Sequence, residues 1–92
     1  MRVIIQEAAY EDLDRIYGWI AKDRPRAADA VIARFLRIAQ RLSRFPYLGH
    51  PGQVRSTYEW IIPGLPYIVV YQVREDDELV IVTAVFHGTQ ER

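Results

Sequence analysis

The sequence predicts an α+β fold of the order β-α-α-β-β-β, in which a helical hairpin packs on one face of a small, mainly antiparallel sheet. Two observations lead to this fold class. The first half of the chain carries two long segments with apolar residues at helical spacing. The second half carries three short runs rich in Val, Ile and Tyr, separated by turn residues. With 92 residues the chain can bury one core, so we expect a single domain over residues 1–92.

The N-terminal half is predicted to form one strand and two helices. Arg2–Gln6 is a short β-type run, and Glu7–Lys22 follows it with an apolar stripe of period 3.6 and acidic residues in its early turns. A second helix is expected over Arg24–Phe45. Asp23 is a candidate cap for that helix, and Pro25 lies just inside its start.

The second helix is predicted to have two contrasting faces. Its apolar residues fill one broad arc when each residue advances by about 100°: Val31, Ile32, Phe35, Leu36, Ile38, Ala39 and Leu42. Four arginines lie within about 80° of one another on the opposite side: Arg34, Arg37, Arg41 and Arg44. This arginine stripe is either a solvated outer face or a surface for a partner.

Three strands are predicted after the loop Phe45–Thr57. They cover Tyr58–Ile62, Tyr67–Val73 and Leu79–Phe86, and short links rich in turn residues join them into an antiparallel meander. The middle strand is the densest apolar run of the chain. We therefore expect it to be buried on both faces.

The charge is divided unevenly along the chain. From Arg24 to Arg74 there are eight Arg against two acidic residues, a net charge of +6 that the rest of the chain cancels. Such a basic middle can attract a polyanion or an acidic protein partner.

Composition excludes several classes of site. The chain has no Cys and two His, so it offers no disulfide framework and no thiolate zinc site, and we expect neither a metal nor a cofactor. No apolar run is long enough to span a bilayer, and the N-terminus turns acidic too soon for a secretory signal. A cytoplasmic location is expected.

His87, at the predicted end of the last strand, is the best candidate for acid–base chemistry because the pKa of an imidazole lies near neutrality. Its expected neighbours are Arg55, Glu59 and Tyr71. Such a group could cleave RNA, with the carboxylate or the imidazole taking the 2′-hydroxyl proton and the arginine stabilising the phosphorane. In the alternative interpretation, His87 merely ends a strand, Tyr71 packs in the core, and Arg55 pairs with Glu59 at the surface.

Four segments in order resemble the ParE/RelE superfamily of bacterial type II toxins: Glu7–Leu13, Phe45–Gly52, Pro63–Tyr71 and Val85–Gly88. The resemblance covers nearly the whole chain. It implies an antitoxin partner, ParD-like, whose C-terminal segment wraps the toxin to form a hetero-oligomer. The candidate partner-binding residues are the arginine stripe, Trp60 and Tyr71. Trp19 and Trp60 are otherwise expected in the core or at its edge.

The two branches of this superfamily differ in their target. RelE-like members cut mRNA on the ribosome with basic residues, and this sequence offers His87, Arg55 and Glu59 for that chemistry. However, Ala84 stands where an Arg is usual, the loop has no Lys, and no Tyr follows in the tail. ParE-like members poison DNA gyrase and resemble the chain better, which implies inhibition by binding without catalytic residues. A degenerate, non-toxic member that still binds its antitoxin is a third possibility.

Overall fold

The computed structural model describes residues 1–89 and has the predicted α+β architecture. The elements are β1 (Arg2–Ile5), α1 (Glu7–Ala21), α2 (Pro25–Arg44), β2 (His50–Pro51), β3 (Tyr58–Ile61), β4 (Tyr67–Arg74) and β5 (Leu79–His87). The five strands form one sheet in the order β1-β5-β4-β3-β2. β1 is parallel to β5 and the other pairs are antiparallel. The predicted fold class is confirmed.

The two helices form because their apolar residues recur at three- and four-residue spacing. α1 buries Ala9 and Leu13. α2 buries residues that fall on one face: Ala28, Val31, Phe35, Ile38 and Leu42. The predicted apolar arc of α2 is too wide at one side, since half of Leu36 is exposed. Trp19 lies outside the core, with 74% of its surface exposed, which corrects the expected core position.

The link between the helices is a tight turn over residues 22–24. The backbone N–H groups of Asp23 and Arg24 both donate to the Ile20 carbonyl, at 3.2 and 2.9 Å. Pro25 is at the start of α2 as expected. Arg24 rather than Asp23 occupies the cap position, and it makes no side-chain capping bond. The predicted Asp23 cap is therefore wrong, because Asp23 belongs to the closing turn of α1.

The sheet has one face covered by the helices and one that no helix covers. Residues opposite each other in the register share a face. The helix-covered face carries Val3, Ile5, Trp60, Ile62, Tyr67, Val69, Tyr71, Val80, Val82, Val85 and His87. The opposite face, called the outer face below, carries Ile4, Glu59, Ile61, Ile68, Val70, Gln72, Ile81, Ala84 and Phe86.

The prediction that the middle strand is buried on both faces is wrong. In β4, Tyr67, Val69 and Tyr71 are buried, whereas Ile68, Val70 and Gln72 are partly exposed. Hairpin connections on both sides of β4 supply no crossover helix for the outer face.

The predicted loop between α2 and β3 contains a short strand, β2, which pairs with Tyr58 and Glu59. The loop is fastened to the sheet by the Gly49 N–H, which donates to the Tyr71 hydroxyl at 2.9 Å. A Cβ at Gly49 would lie 2.6 Å from the Glu59 carbonyl oxygen, so only glycine fits this approach. Within residues 1–89, no helix is both long and apolar enough to cross a membrane.

Candidate functional site

The structure does not bring His87 and Glu59 together. His87 is opposite Tyr67 in the register of β4 and β5, whereas Glu59 is opposite Val70 in the register of β3 and β4. Tyr67 and Val70 are three residues apart on one strand, so their side chains leave opposite faces of the sheet. The two backbones are also two strands and three residues apart, roughly 14 Å by standard strand spacings. Arg55 is exposed in the loop before β3.

His87 lies at the edge of a cleft between α1 and the end of β5. The ring packs edge-on against Tyr67 at 5.5 Å between centroids. Its Nδ1 atom accepts the Thr89 N–H at 3.2 Å and lies 2.8 Å from the Thr89 hydroxyl. The cleft has a volume of about 360 Å³ and is lined in part by Trp19 and Arg15. The Nδ1 atom of His87 therefore stabilises the turn that follows β5 by accepting a hydrogen bond from it.

Glu59 holds the loop in place on the outer face of the sheet. Its side chain is 5% exposed, and its Oε2 atom accepts the Gln53 N–H at 3.2 Å. Gly52 packs directly over it, since a Cβ there would lie 3.1 Å from Oε2. A carboxylate enclosed in this way is placed to order the loop.

Two of the predicted partner-binding residues, Tyr71 and Trp60, differ in how much of their side chain is exposed. Tyr71 is fully buried, its ring stacks on Tyr58, and burial raises the pKa of its hydroxyl even though the Gly49 N–H opposes that shift. A side chain enclosed in this way does not reach a partner that docks on the present surface. Trp60 is partly exposed, and its buried Nε1 atom has no hydrogen-bond partner among residues 1–89.

The arginine stripe lies on the exposed side of α2 as predicted, but its members differ. The Arg34 Nη1 atom donates to the Pro63 carbonyl at 3.2 Å and packs over Gly64, so Arg34 supports the turn between β3 and β4. Arg37, Arg41 and Arg44 have no carboxylate within 4.0 Å among residues 1–89. In the last turns of α2, Arg41 and Arg44 also interact favourably with the helix dipole.

Exposed aromatic side chains continue this basic stretch beyond the end of α2. Phe45 is 57% exposed and Tyr47 is 49% exposed. Two adjoining cavities of about 630 and 470 Å³ share the side chains of Arg41, Arg44 and Phe45. Together these side chains form a basic–aromatic surface that consists of Arg37, Arg41, Arg44, Phe45 and Tyr47. It is the arrangement in this structure most suited to binding an anionic partner.

The outer face of the sheet is largely apolar where the last strand crosses it. Ala84 lies beside Val70, and the next row carries Phe86, Ile68 and Ile61. None of these five side chains can transfer a proton or stabilise a negative charge.

Sequence reasoning missed the role of Asp12. Its Oδ2 atom accepts the Val85 N–H at 3.0 Å, and its Oδ1 atom pairs with Arg15. β1 pairs with β5 only as far as Val82, so Asp12 satisfies a backbone donor beyond the end of that pairing. The available signal was an acidic residue placed at helical spacing between Ala9 and Ile16 on the apolar stripe.

Comparison with known proteins identifies relatives across nearly the whole chain. The family described as ParE toxin of type II toxin-antitoxin system, parDE, matches residues 3–92. The protein Y4kP of Sinorhizobium fredii, which is described as a candidate toxin, is 38% identical over 83 residues, covering 90% of this chain and 83% of the relative.

Solved structures share the fold of this chain. A chain of the chromosomal ParDE system of Pseudomonas aeruginosa superposes with a TM-score of 0.82 at 17% identity, covering 95% of each chain. A chain of the RelBE2 toxin–antitoxin complex of Mycobacterium tuberculosis has a TM-score of 0.64 at 26% identity, covering 92% of this chain and 94% of the other. The isolated RelE toxin of Escherichia coli has a TM-score of 0.62 at 14% identity, covering 98% and 86%.

Proposed function

Because this chain belongs to the ParE toxin family of type II toxin–antitoxin systems, we propose that it inhibits DNA gyrase by binding and that a cognate antitoxin neutralises it. The observation that carries the choice of gyrase is the separation of His87 from Glu59 on opposite faces of the sheet. General acid–base cleavage needs its groups within hydrogen-bond reach of one reacting centre.

The surroundings of these residues support a binding function over RNA cleavage. Ala84 and Val70 lie beside each other on the outer face, and Glu59 is enclosed under the loop. An arginine that stabilised a phosphorane would contribute several kcal/mol to the barrier reduction, on the order of 3 kcal/mol. Arg55 is the predicted candidate for that role, and it lies in an exposed loop.

An antitoxin that wraps this toxin would form a hetero-oligomer with it in the cytoplasm. The candidate contacts on α2 are Arg37, Arg41 and Arg44, which have no internal carboxylate partner within residues 1–89. Trp60 remains a candidate because it is partly exposed at β3. Arg34 is a weaker candidate, since it is already bonded to the turn after β3. Tyr71 is not a candidate contact because its side chain is fully buried.

The direct test adds the purified protein to DNA gyrase and, separately, to translating ribosomes. We expect loss of DNA supercoiling or accumulation of cleaved DNA, with mRNA left intact. The variants His87→Ala and Arg55→Ala should inhibit gyrase as well as the unmodified protein does. Cleavage of ribosome-bound mRNA that His87→Ala abolishes would establish the RelE-like alternative instead. Inactivity in both assays, with antitoxin binding retained, would indicate a degenerate member.

A further inference from the structure

We infer that the basic–aromatic surface binds a short acidic protein segment that carries one large apolar side chain. The inference rests on the proposed function only in assigning that segment to the antitoxin. The chemistry of the segment follows from the surface itself.

The charge of the surface is concentrated and uncompensated. Arg37, Arg41 and Arg44 follow one another at spacings of four and three residues, so they lie along one side of α2 over about 10 Å. No carboxylate among residues 1–89 lies within 4.0 Å of any of them. A guanidinium group matches a carboxylate with two parallel hydrogen bonds. Three such groups in a row favour a segment with several Asp or Glu residues.

The surface also has an apolar part, so we expect its ligand to carry an apolar group as well as negative charge. Phe45 lies between the two cavities, contributes to both, and is more than half exposed. Pro46 and Leu48 complete the wall of the smaller cavity, whose volume is about 470 Å³. A large apolar side chain placed against Phe45 would remove this surface from water while flanking carboxylates reach the arginines.

The boundary of the surface favours a protein segment over a nucleic acid. The Tyr47 hydroxyl donates to the Glu75 carboxylate at 2.5 Å, which brings the acidic turn between β4 and β5 to the edge of the basic region. Tyr47 lines a cavity with Arg41 and Arg44 on one side. On its other side it lines a cavity with Arg74 and three acidic residues, Glu75, Asp76 and Asp77. A phosphate backbone that ran on beyond the arginines would meet these carboxylates, whereas a peptide can change from acidic to neutral within a few residues. The zero net charge of the chain also differs from the basic character typical of nucleic-acid-binding domains.

The test selects ligands from a displayed library of short random peptides on the unmodified protein. We expect enrichment of sequences in which Asp and Glu flank one Leu, Ile, Phe or Trp. Replacing the acids of the best peptide by their amides, or its apolar residue by Ser, should each weaken binding by about tenfold or more. Enrichment of neutral or basic peptides, or equal competition by oligothymidylate, would overturn the inference. These measurements use the unmodified chain and do not depend on whether a variant folds.

Protein variants then locate the site. The triple change Arg37→Glu, Arg41→Glu and Arg44→Glu should abolish binding of the best peptide, and Phe45→Ser should weaken it. The matched control Arg24→Glu, Arg26→Glu and Arg55→Glu makes the same charge change at exposed arginines elsewhere and should bind normally. Equal losses in the two triple variants would contradict the location. Gyrase inhibition is measured separately, so a failure of the proposed target leaves the peptide result unaffected, and the reverse also holds.

Discussion

Asp12 connects the two layers of the fold through one carboxylate. It accepts the N–H of Val85, a residue that is 3% exposed. A buried donor left without a partner costs free energy, whereas the loss of an exposed side chain on the same helix does not. The side chain therefore contributes to stability beyond the favourable charge that acidic residues supply in the early turns of a helix.

Replacement of Asp12 by Ala should lower the free energy of unfolding by about 1–3 kcal/mol, because the Val85 N–H loses its acceptor. Glu11→Ala is the control, since it removes the same charge from an exposed position one residue earlier on α1. Urea unfolding of the two variants measures the difference. Equal stability of the two variants would contradict the role assigned to Asp12.

Three tyrosines, Tyr17, Tyr47 and Tyr71, give the stability a dependence on alkaline pH. The hydrogen bond to Glu75 raises the pKa of Tyr47 from 10.0 to about 12. Burial raises the pKa of Tyr71 as well, and a hydrogen bond to Asp29 raises the pKa of Tyr17. The folded state thus holds these protons more tightly than the unfolded state, so this contribution is complete below pH 10 and is lost as the pH rises towards 12.

We therefore expect the free energy of unfolding to fall as the pH rises from about 10 to about 12, because the folded form must give up protons that it binds tightly. In Tyr47→Phe the fall should be smaller, since one of the three phenols is absent. Urea unfolding at a series of pH values measures both slopes. Identical slopes for the variant and the unmodified protein would show that the Tyr47–Glu75 bond does not contribute.

Two glycines distinguish the tightly packed loop from the open surface of α1. Gly49→Ala should destabilise the protein strongly, because the added Cβ would lie 2.6 Å from the Glu59 carbonyl oxygen and 2.8 Å from the Tyr71 hydroxyl. Gly18, inside α1, has nothing within 4 Å of an added Cβ. Gly18→Ala should therefore stabilise the protein by about 0.5–1 kcal/mol through helix propensity. Thermal unfolding of the two variants should shift in opposite directions, and a shift in the same direction would contradict this packing.

The long elements could be predicted from the sequence because periodicity extends over many residues in each of them. Both helices and strands β3, β4 and β5 lie within a few residues of their predicted bounds. β2 was missed because two residues are too short for an alternating pattern. Burial of β4 on both faces was wrong because a run of apolar residues does not reveal which face the helices cover.

The candidate site was less predictable than the fold, since it depends on register and on contacts between distant segments. The sequence places His87 and Glu59 near strand ends, but only the pairing of β3, β4 and β5 assigns them to opposite faces. The arginine stripe was predicted from helical spacing. Its division into Arg34, which is bonded to Pro63, and three arginines without internal carboxylate partners within residues 1–89 depends on the position of a turn 29 residues away.

The whole molecule combines a basic–aromatic surface at the end of α2 with an outer sheet face that is largely apolar. Both arrangements suit contacts with other macromolecules, and neither assembles an acid, a base and a phosphate-stabilising group around one point. This combination is the basis for proposing inhibition by binding. The proposal is therefore tested by finding which stops first after induction, DNA synthesis or translation.

The most direct test of that proposal follows thymidine and amino-acid incorporation together in the first minutes after the protein is induced in a bacterial host without its antitoxin. We predict that DNA synthesis falls first while translation continues, and that His87→Ala and Arg55→Ala behave like the unmodified protein. An initial collapse of amino-acid incorporation, removed by His87→Ala, would contradict inhibition of gyrase and identify translation as the target.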